Sequence, residues 1–148
     1  RKVKIKLYLS VSFRFQRNSM DKQKYIEQAN RLSGFNIHNG IEVVDFDDEH
    51  CIVIGKLSDK TSNPFEMAHG GFVYSLCDVA AGVLVTREDH PGVTLNSNMH
   101  FLRPSRGTVL RAEGRMVKRG RTVSVIETKV YDDTERVTAI GIFEIYAL

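Results

Sequence analysis

The chain has 148 residues, of which 42% are hydrophobic and 26% charged, enough for one globular domain and too few for two. Its apolar runs are shorter than the ~18 residues that a membrane-spanning helix needs, so no spanning segment is expected. The net charge of +3 is uneven: residues 1–19 carry six basic side chains and no acidic one, whereas residues 20–148 carry 15 basic and 18 acidic ones. This acidic balance disfavours a nucleic-acid partner, because binding to DNA or RNA rests on neutralising phosphates.

Residues 2–16 alternate polar and apolar side chains, a pattern typical of a β-strand. Met20 follows at once and opens a helical pattern. We therefore expect residues 1–19 to be a basic extension, either a native strand or a non-native leader, and residues 20–148 to form the functional domain. The expected location is the cytoplasm, or the mitochondrion if the extension is a native leader.

The remaining elements follow from hydrophobic periodicity. A helix is predicted from residue 22 to residue 32, where Ser33 and Gly34 end it. Strands are predicted at 41–46 and 51–57, a long apolar helix at 71–85, and four strands at 92–102, 108–117, 122–131 and 137–146. Short connections between strands favour antiparallel pairing, hence an α+β fold in which a curled sheet wraps a central helix.

Cysteine and histidine usage gives no metal or disulfide signal. Cys51 and Cys77 have no CxxC spacing, and the five histidines form no HxH or HExxH pattern. A reducing compartment and a protein without a metal are therefore expected.

Asp78 is the only charged side chain between Glu66 and Arg87, and it lies within the apolar helix. Burying a carboxylate without partners is costly. One interpretation is structural: Asp78 faces a small polar pocket or caps a neighbouring backbone group. We favour the functional one, in which the carboxylate acts in a cleft as general base or nucleophile.

Two glycines, Gly70 and Gly71, stand where this helix begins. Uncovered amides at a helix N-terminus can hold a developing oxyanion, although a turn or a close helix–sheet contact would also use glycine. Gly70 and Asp78 fall near one helix face but roughly 10 Å apart along the axis, too far to act together within one chain. A two-fold dimer with antiparallel central helices would bring Gly70 of one protomer beside Asp78 of the other.

Asn63, the run His69-Gly70-Gly71 and Asp78 together resemble the signature of hotdog-fold acyl-CoA thioesterases, of the phenylacetate-degradation type and the branch like human thioesterase superfamily member 2. The resemblance covers about residues 21–148 and not the extension. It implies an antiparallel sheet around a long central helix, and hydrolysis of an acyl- or aroyl-CoA to the free acid and coenzyme A. It also implies no cofactor and a homodimer or dimer of dimers with sites at the subunit interface.

The resemblance also implies roles for individual residues. The amide of Gly70 donates to the thioester carbonyl, and Asp78 activates water or attacks directly. Asn63 helps to place the thioester. Thr94, on the following strand, orients the water, although its spacing from Asp78 differs slightly from that of the family. His69 is expected to brace the loop.

One part of the motif departs from the family. Glu66 stands where the family often has glycine, and Pro64 follows Asn63 directly, so this loop is expected to bend differently. Glu66 is either a second carboxylate of the site or a solvated loop residue.

A basic turn at residues 118–121 is the other feature of interest. By the resemblance, Lys118, Arg119 and Arg121 contact the phosphates of coenzyme A, with Gly71 and Arg103 as further binding residues. A basic turn in water is the alternative. Polar residues alternate along the strand at 92–102, which predicts that they share one face of it. This face either is exposed to solvent or lines the pocket, and its residues are Thr94, Asn96, Asn98 and His100.

Two other functions stay open. A hotdog-fold hydratase or dehydratase acting on coenzyme A thioesters would share the fold, but this chain lacks the usual histidine motifs of those enzymes. A non-catalytic module would bind coenzyme A, or nucleic acid through the extension and the basic turn, without turnover.

Overall fold

The computed structural model describes residues 19–86 and 91–148. The elements in chain order are α1 (Ser19–Leu32), α2 (Gly34–Asn39), β1 (Ile41–Phe46), β2 (His50–Lys56), α3 (Gly70–Val85), β3 (Gly92–Phe101), β4 (Val109–Lys118), β5 (Val123–Tyr131) and β6 (Val137–Ala147). The six strands and the central helix predicted for this part of the chain are confirmed, each to within one residue at its ends. The strand predicted at residues 2–16 lies outside the described residues.

All six strands form one antiparallel sheet in the order β1-β2-β4-β5-β6-β3. Helix α3 leaves β2, contacts every strand and delivers the chain to β3 at the opposite edge. The predicted α+β class is therefore confirmed. No helix within residues 19–86 and 91–148 is long and apolar enough to cross a membrane.

The inner side of α3 forms the centre of the core. Leu76, Ala80 and Leu84 have no exposed surface, as expected for apolar residues that recur once per helical turn. Gly114 of β4 faces this side, where an added Cβ would lie 3.1 Å from the carbonyl oxygen of Ala80. Glycine at this position allows the helix backbone to approach the sheet closely.

The outer side of α3 is not covered by the sheet. Gly71, Ser75, Asp78 and Gly82 form a stripe of partly or fully exposed residues along the helix, beside edge strand β3. The sheet thus packs on the inner side of α3, as predicted, and the stripe lies where edge strand β3 ends the sheet.

Helix α2 is absent from the elements that the sequence predicts, in which Ser33 and Gly34 only end the first helix. The side chain of Ser33 accepts a hydrogen bond from the Asn36 amide and so caps a new helix. Gly40 ends that helix in the left-handed conformation, with φ of 64°.

The other sheet edge, β1, is covered by α1. The side-chain amide of Asn30 donates to the carbonyl of Val43 (3.0 Å) and accepts from its N–H (2.8 Å), so it replaces the hydrogen bonds of a neighbouring strand. An ion pair between Lys22 and Asp45 adds a second contact. Of the two edges, only that of β3 is left open by the described residues.

The turn between β5 and β6 is built around a buried carboxylate. Burial alone would raise the pKa of Asp132, but hydrogen bonds from Thr134 and Arg136 outweigh it and lower the pKa from 3.8 to about 2. Because the folded state holds this carboxylate ionised more strongly than the unfolded state, its contribution is complete above about pH 4 and is lost as the pH falls toward 2.

The substitution Asp132→Asn is accordingly expected to lower the free energy of unfolding by about 2 kcal/mol at neutral pH. It should also flatten the loss of stability between pH 4 and pH 2, as measured by urea unfolding. Asp59→Asn, at an exposed carboxylate, is the control and should change neither quantity. An acid profile of the Asp132 variant parallel to that of the wild type would contradict this role.

Candidate active site

Helix α3 and strand β3 run side by side in opposite directions and meet at three levels. The helix positions are four residues apart, about one turn, so they share one helix face. Three pairs make these contacts, hereafter the α3–β3 pairs: Gly70 with Phe101, Tyr74 with Ser97, and Asp78 with Thr94.

The Asp78–Thr94 pair supplies a fixed carboxylate. The Thr94 hydroxyl donates to Oδ1 of Asp78 at 2.5 Å, and the aspartate is half-buried. Within the described part of the chain, Oδ2 has no hydrogen-bond partner. The hydrogen bond therefore orients the carboxylate and leaves one oxygen able to take a proton.

Thr94 reaches Asp78 because of a β-bulge. The register between β3 and β6 shifts between Thr94 and Asn96, so Thr94 lies on the helix side together with Ser97. The prediction of a single face that carries Thr94, Asn96, Asn98 and His100 is wrong at Thr94, since an extra residue in a strand reverses the alternation.

The first turn of α3 leaves one amide unused. His69 caps the helix, with its Nδ1 accepting from the N–H of Gly71 at 2.9 Å. The carbonyl of His69 accepts from Phe72 and Val73. Among the described residues, the N–H of Gly70 has no partner, so it is the amide at this positive helix end that remains free to bind an oxyanion.

Gly70 lies on a cleft of about 320 Å³. The walls come from Met67 and Ala68, from Val73 of α3 and from residues 101–105. They are mostly apolar, and Arg103 is the charged residue among them; its Nη1 donates to the Val137 carbonyl at 2.5 Å. The arrangement places a free backbone donor at the wall of a cleft suited to an apolar group.

Asn63 shapes the loop that bounds this cleft. Its Oδ1 accepts from the amides of Phe65 (2.9 Å) and Met67 (3.3 Å), while its Nδ2 has no partner in residues 19–86 or 91–148. Glu66, at the position where the family often has glycine, adopts φ of 57°. That left-handed conformation costs a residue other than glycine roughly 1 kcal/mol. The replacement of the family's usual glycine by Glu66 therefore carries an energetic cost in this loop.

The basic turn lies at the opposite end of α3. Arg119 donates to the carbonyl of Leu84, near the helix C-terminus, and to that of Asp48. The side chains of Lys118 and Arg121 are exposed and make no ion pair or hydrogen bond with the described residues. Roughly 20 Å of helix separates this turn from Gly70, so one chain does not bring the two together.

The cysteines offer no nucleophile. Burial, chiefly, raises the pKa of the Cys77 thiol to about 12, and the negative charge of the adjacent Asp78 adds to this rise. Burial also raises the pKa of Cys51. Both are therefore neutral thiols at physiological pH. In the described ranges, no three His, Cys, Asp or Glu residues cluster in a way that could hold a metal ion.

The sequence predicts Gly70, Asp78 and Thr94 as site residues, but not the pair formed by Tyr74 and Ser97. Gly70, Tyr74 and Asp78 recur every four residues, and this helical spacing is the signal that points to Tyr74. Phe101 and the other cleft residues on its side had no signal of their own, because they meet the helix start only through the fold.

Comparison with known proteins gives consistent matches. The family model described as Thioesterase superfamily matches residues 65–139. The Bacillus subtilis protein ComA2, named as an esterase, is 30% identical over 106 residues, which are 69% of this chain and 84% of ComA2. The 1,4-dihydroxy-2-naphthoyl-CoA hydrolase of Listeria monocytogenes is 28% identical over 107 residues, 69% of this chain and 85% of that protein.

A solved structure of a hypothetical thioesterase from Streptococcus pneumoniae, with coenzyme A, is 28% identical. The match has a TM-score of 0.67 and covers 73% of this chain and 85% of the other. Alanine variants of a hypothetical thioesterase from the same organism have also been solved, one at an aspartate and one at a threonine 16 positions later.

Proposed function

Because the chain belongs to the thioesterase superfamily, we propose that it hydrolyses an acyl-CoA thioester to the free acid and coenzyme A. The main support is the free Gly70 amide at the wall of an apolar cleft, on the same helix as the oriented carboxylate of Asp78. A thioester needs both elements, a donor for its oxygen and a base for water. One relative is named as a hydrolase of a CoA thioester, and a second was solved with coenzyme A.

The spacing of the carboxylate and its hydroxyl partner adds support. Asp78 and Thr94 are 16 residues apart, the same separation as the aspartate and threonine replaced in the Streptococcus pneumoniae protein. The expected difference in spacing is therefore absent in the comparison with this relative. We therefore assign Asp78 and Thr94 as the pair that acts on water.

In the proposed reaction, the thioester oxygen accepts from the Gly70 N–H at the positive end of α3. Oδ2 of Asp78 takes a proton from water as the water oxygen bonds to the carbonyl carbon. The carbon–sulfur bond then breaks and the proton passes to the leaving sulfur, which gives the acid and the free thiol. Direct attack by Asp78, with an anhydride that water opens, would use the same two groups.

The two groups must come from different protomers, since eight residues of helix separate them within one chain. The open edge of β3 provides the surface. Strand β3 contains no Lys, Arg, Asp or Glu, and Val93, Leu95 and Phe101 are 45–60% exposed. Edge strands that stay in water normally carry protective charges, so this edge is suited to a second copy of the chain.

Edge-to-edge pairing of β3 in a two-fold dimer also sets the α3 helices antiparallel. The C-terminal end of one α3, with its basic turn at residues 118–121, then lies near Gly70 of the other protomer. Symmetry thus brings together the amide and the basic turn that one chain keeps apart. We propose that Lys118 and Arg121 of the second protomer hold the phosphates of coenzyme A.

The double substitution Lys118→Ala and Arg121→Ala is expected to raise KM for acyl-CoA about tenfold and to leave kcat unchanged. Phosphate contacts lie far from the reacting carbon and bind substrate and transition state equally. A thioester of N-acetylcysteamine, which lacks the nucleotide, is the control substrate and should not distinguish the variant from the wild type.

Arg119→Ala is the matched control variant. Its guanidinium binds two backbone carbonyls, so its loss should lower the thermal unfolding midpoint more than it alters KM. An unchanged KM for acyl-CoA in the double variant would contradict the assigned phosphate contact.

The proposed activity is tested by thiol release from short, medium, long and aromatic acyl-CoAs. Equal amounts of coenzyme A and free acid would support hydrolysis. Addition of water to an enoyl-CoA without thiol release would instead identify a hydratase. Binding of coenzyme A without turnover on any member of the panel would identify a non-catalytic module.

A further inference from the structure

The middle of the three α3–β3 pairs has no role in the proposed reaction. The hydroxyl groups of Tyr74 and Ser97 lie 2.8 Å apart in a half-buried hydrogen bond. The ring of Tyr74 also packs against Phe143, with a centroid distance of 5.4 Å. This pair lies between the Gly70 and Asp78 levels, one helical turn from each.

The position of the pair relative to the dimer axis follows from the numbering. If Gly70 of one protomer faces Asp78 of the other, position 74 faces its own copy, so the two-fold axis passes Tyr74. If β3 (Gly92–Phe101) pairs with its copy along its whole length, the axis passes between Asn96 and Ser97. The hydrogen bond between Tyr74 and Ser97 joins these two midpoints, so helix and strand place the axis in the same region.

The β-bulge explains why this hydrogen bond matters for chemistry. Among the described residues, strand β3 has one strand neighbour, β6, and its register against β6 shifts between Thr94 and Asn96. Bulges re-aim side chains, and here the bulge directs Thr94 toward Asp78. Gly92 anchors the strand before the bulge through its N–H to Thr86 Oγ1 at 3.1 Å. Ser97 is the side chain that hydrogen-bonds to α3 after it.

We propose that Tyr74 and Ser97 are a positioning pair that holds β3 in register with α3 and so keeps Thr94 against Asp78. The positioning role rests on the proposed function, in which the hydrogen bond from Thr94 orients the carboxylate of Asp78. Since both copies of the pair lie at the axis, each pair stands beside both shared sites. Neither residue touches the reacting atoms.

Tyr74→Phe and Ser97→Ala are each expected to lower kcat about tenfold, with KM within about twofold of the wild type. The double variant should be no slower than either single variant, since all three lose the same hydrogen bond. Ser97→Thr, which keeps a hydroxyl, should restore kcat.

Tyr131→Phe is the matched control, because it removes a tyrosine hydroxyl and keeps the ring that stacks 4.3 Å from the guanidinium of Arg111. It should leave kcat and KM unchanged. Circular dichroism and the measured oligomer mass identify any variant that does not fold. In that case kcat of Ser97→Thr is compared with kcat of Ser97→Val, because these two side chains have nearly the same volume and only threonine has the hydroxyl.

Asp78→Asn separates the two proposals. If Asp78→Asn is inactive while Tyr74→Phe and Ser97→Ala keep the wild-type kcat, the positioning role is wrong and the proposed function stands. A fall in the unfolding midpoint with unchanged kcat would also overturn the positioning role. If Asp78→Asn keeps full activity, Asp78 has no part in the mechanism and the positioning role of Tyr74 and Ser97 is wrong with it. If the wild type releases no thiol from any acyl-CoA of the panel, the proposed function itself is wrong.

Discussion

Replacing Asp78 by asparagine is expected to lower kcat at least about 100-fold and to leave the protein folded. Asparagine keeps an oxygen that can accept the hydrogen bond from the Thr94 hydroxyl, now 2.5 Å from Oδ1, so local packing is preserved. It has no carboxylate to take a proton from water or to attack the thioester. The measurement is thiol release from acyl-CoA, with circular dichroism and the unfolding midpoint as checks on the fold.

Thr94→Val is the companion variant, because valine matches threonine in shape and lacks the hydroxyl. It leaves the carboxylate in place but without its orienting donor, so a smaller fall in kcat, about tenfold, is expected. An Asp78→Asn enzyme as active as the wild type would exclude Asp78 from the mechanism. Equal losses in both variants would mean that Asp78 acts only through its hydrogen bond to Thr94.

Replacing Gly70 by proline is expected to lower kcat/KM about 100- to 1000-fold, the range measured when one oxyanion donor is removed. Proline deletes the amide proton at the first position of a helix, where its ring is well tolerated. The preceding residue, His69, has ψ of 137°, the extended conformation that a residue before proline prefers. The substitution thus removes one donor at little cost to the fold.

Gly70→Ala provides the control. An added Cβ would lie 3.7 Å from the ring of Phe101, an ordinary contact, and alanine keeps the N–H. Activity within about threefold of the wild type is expected. If alanine and proline reduce kcat/KM equally, the loss comes from the cleft wall and not from the amide, and Gly70 is not the oxyanion donor.

Much of the fold could be predicted because its periodicities are strong. The long apolar run of α3 and the alternating strands β3 to β6 gave their boundaries to within one residue. The resemblance to hotdog-fold thioesterases rested on residues 63–78, and the family match over residues 65–139 confirms the family. A free amide and an aspartate eight positions later could also be placed on one helix face from spacing alone.

The remainder depended on tertiary contacts that no local pattern contains. The bulge that turns Thr94 toward Asp78 is a shift of register against β6, and strict alternation predicted a different strand face. The cleft joins Met67 and Val73 to residues 101–105, segments that meet only after β3 has crossed to the far edge of the sheet. The resemblance implies that Arg119 is a phosphate ligand, whereas its guanidinium binds two backbone carbonyls of the chain itself.

In the proposed dimer, each site takes its amide from one protomer and its carboxylate from the other. A heterodimer of one Gly70→Pro chain and one Asp78→Asn chain, purified through two different tags, tests this sharing. One site of this heterodimer carries both substitutions and the other carries none. We expect about half of the wild-type activity from two parents that are each nearly inactive. A heterodimer as inactive as its parents would contradict the shared site.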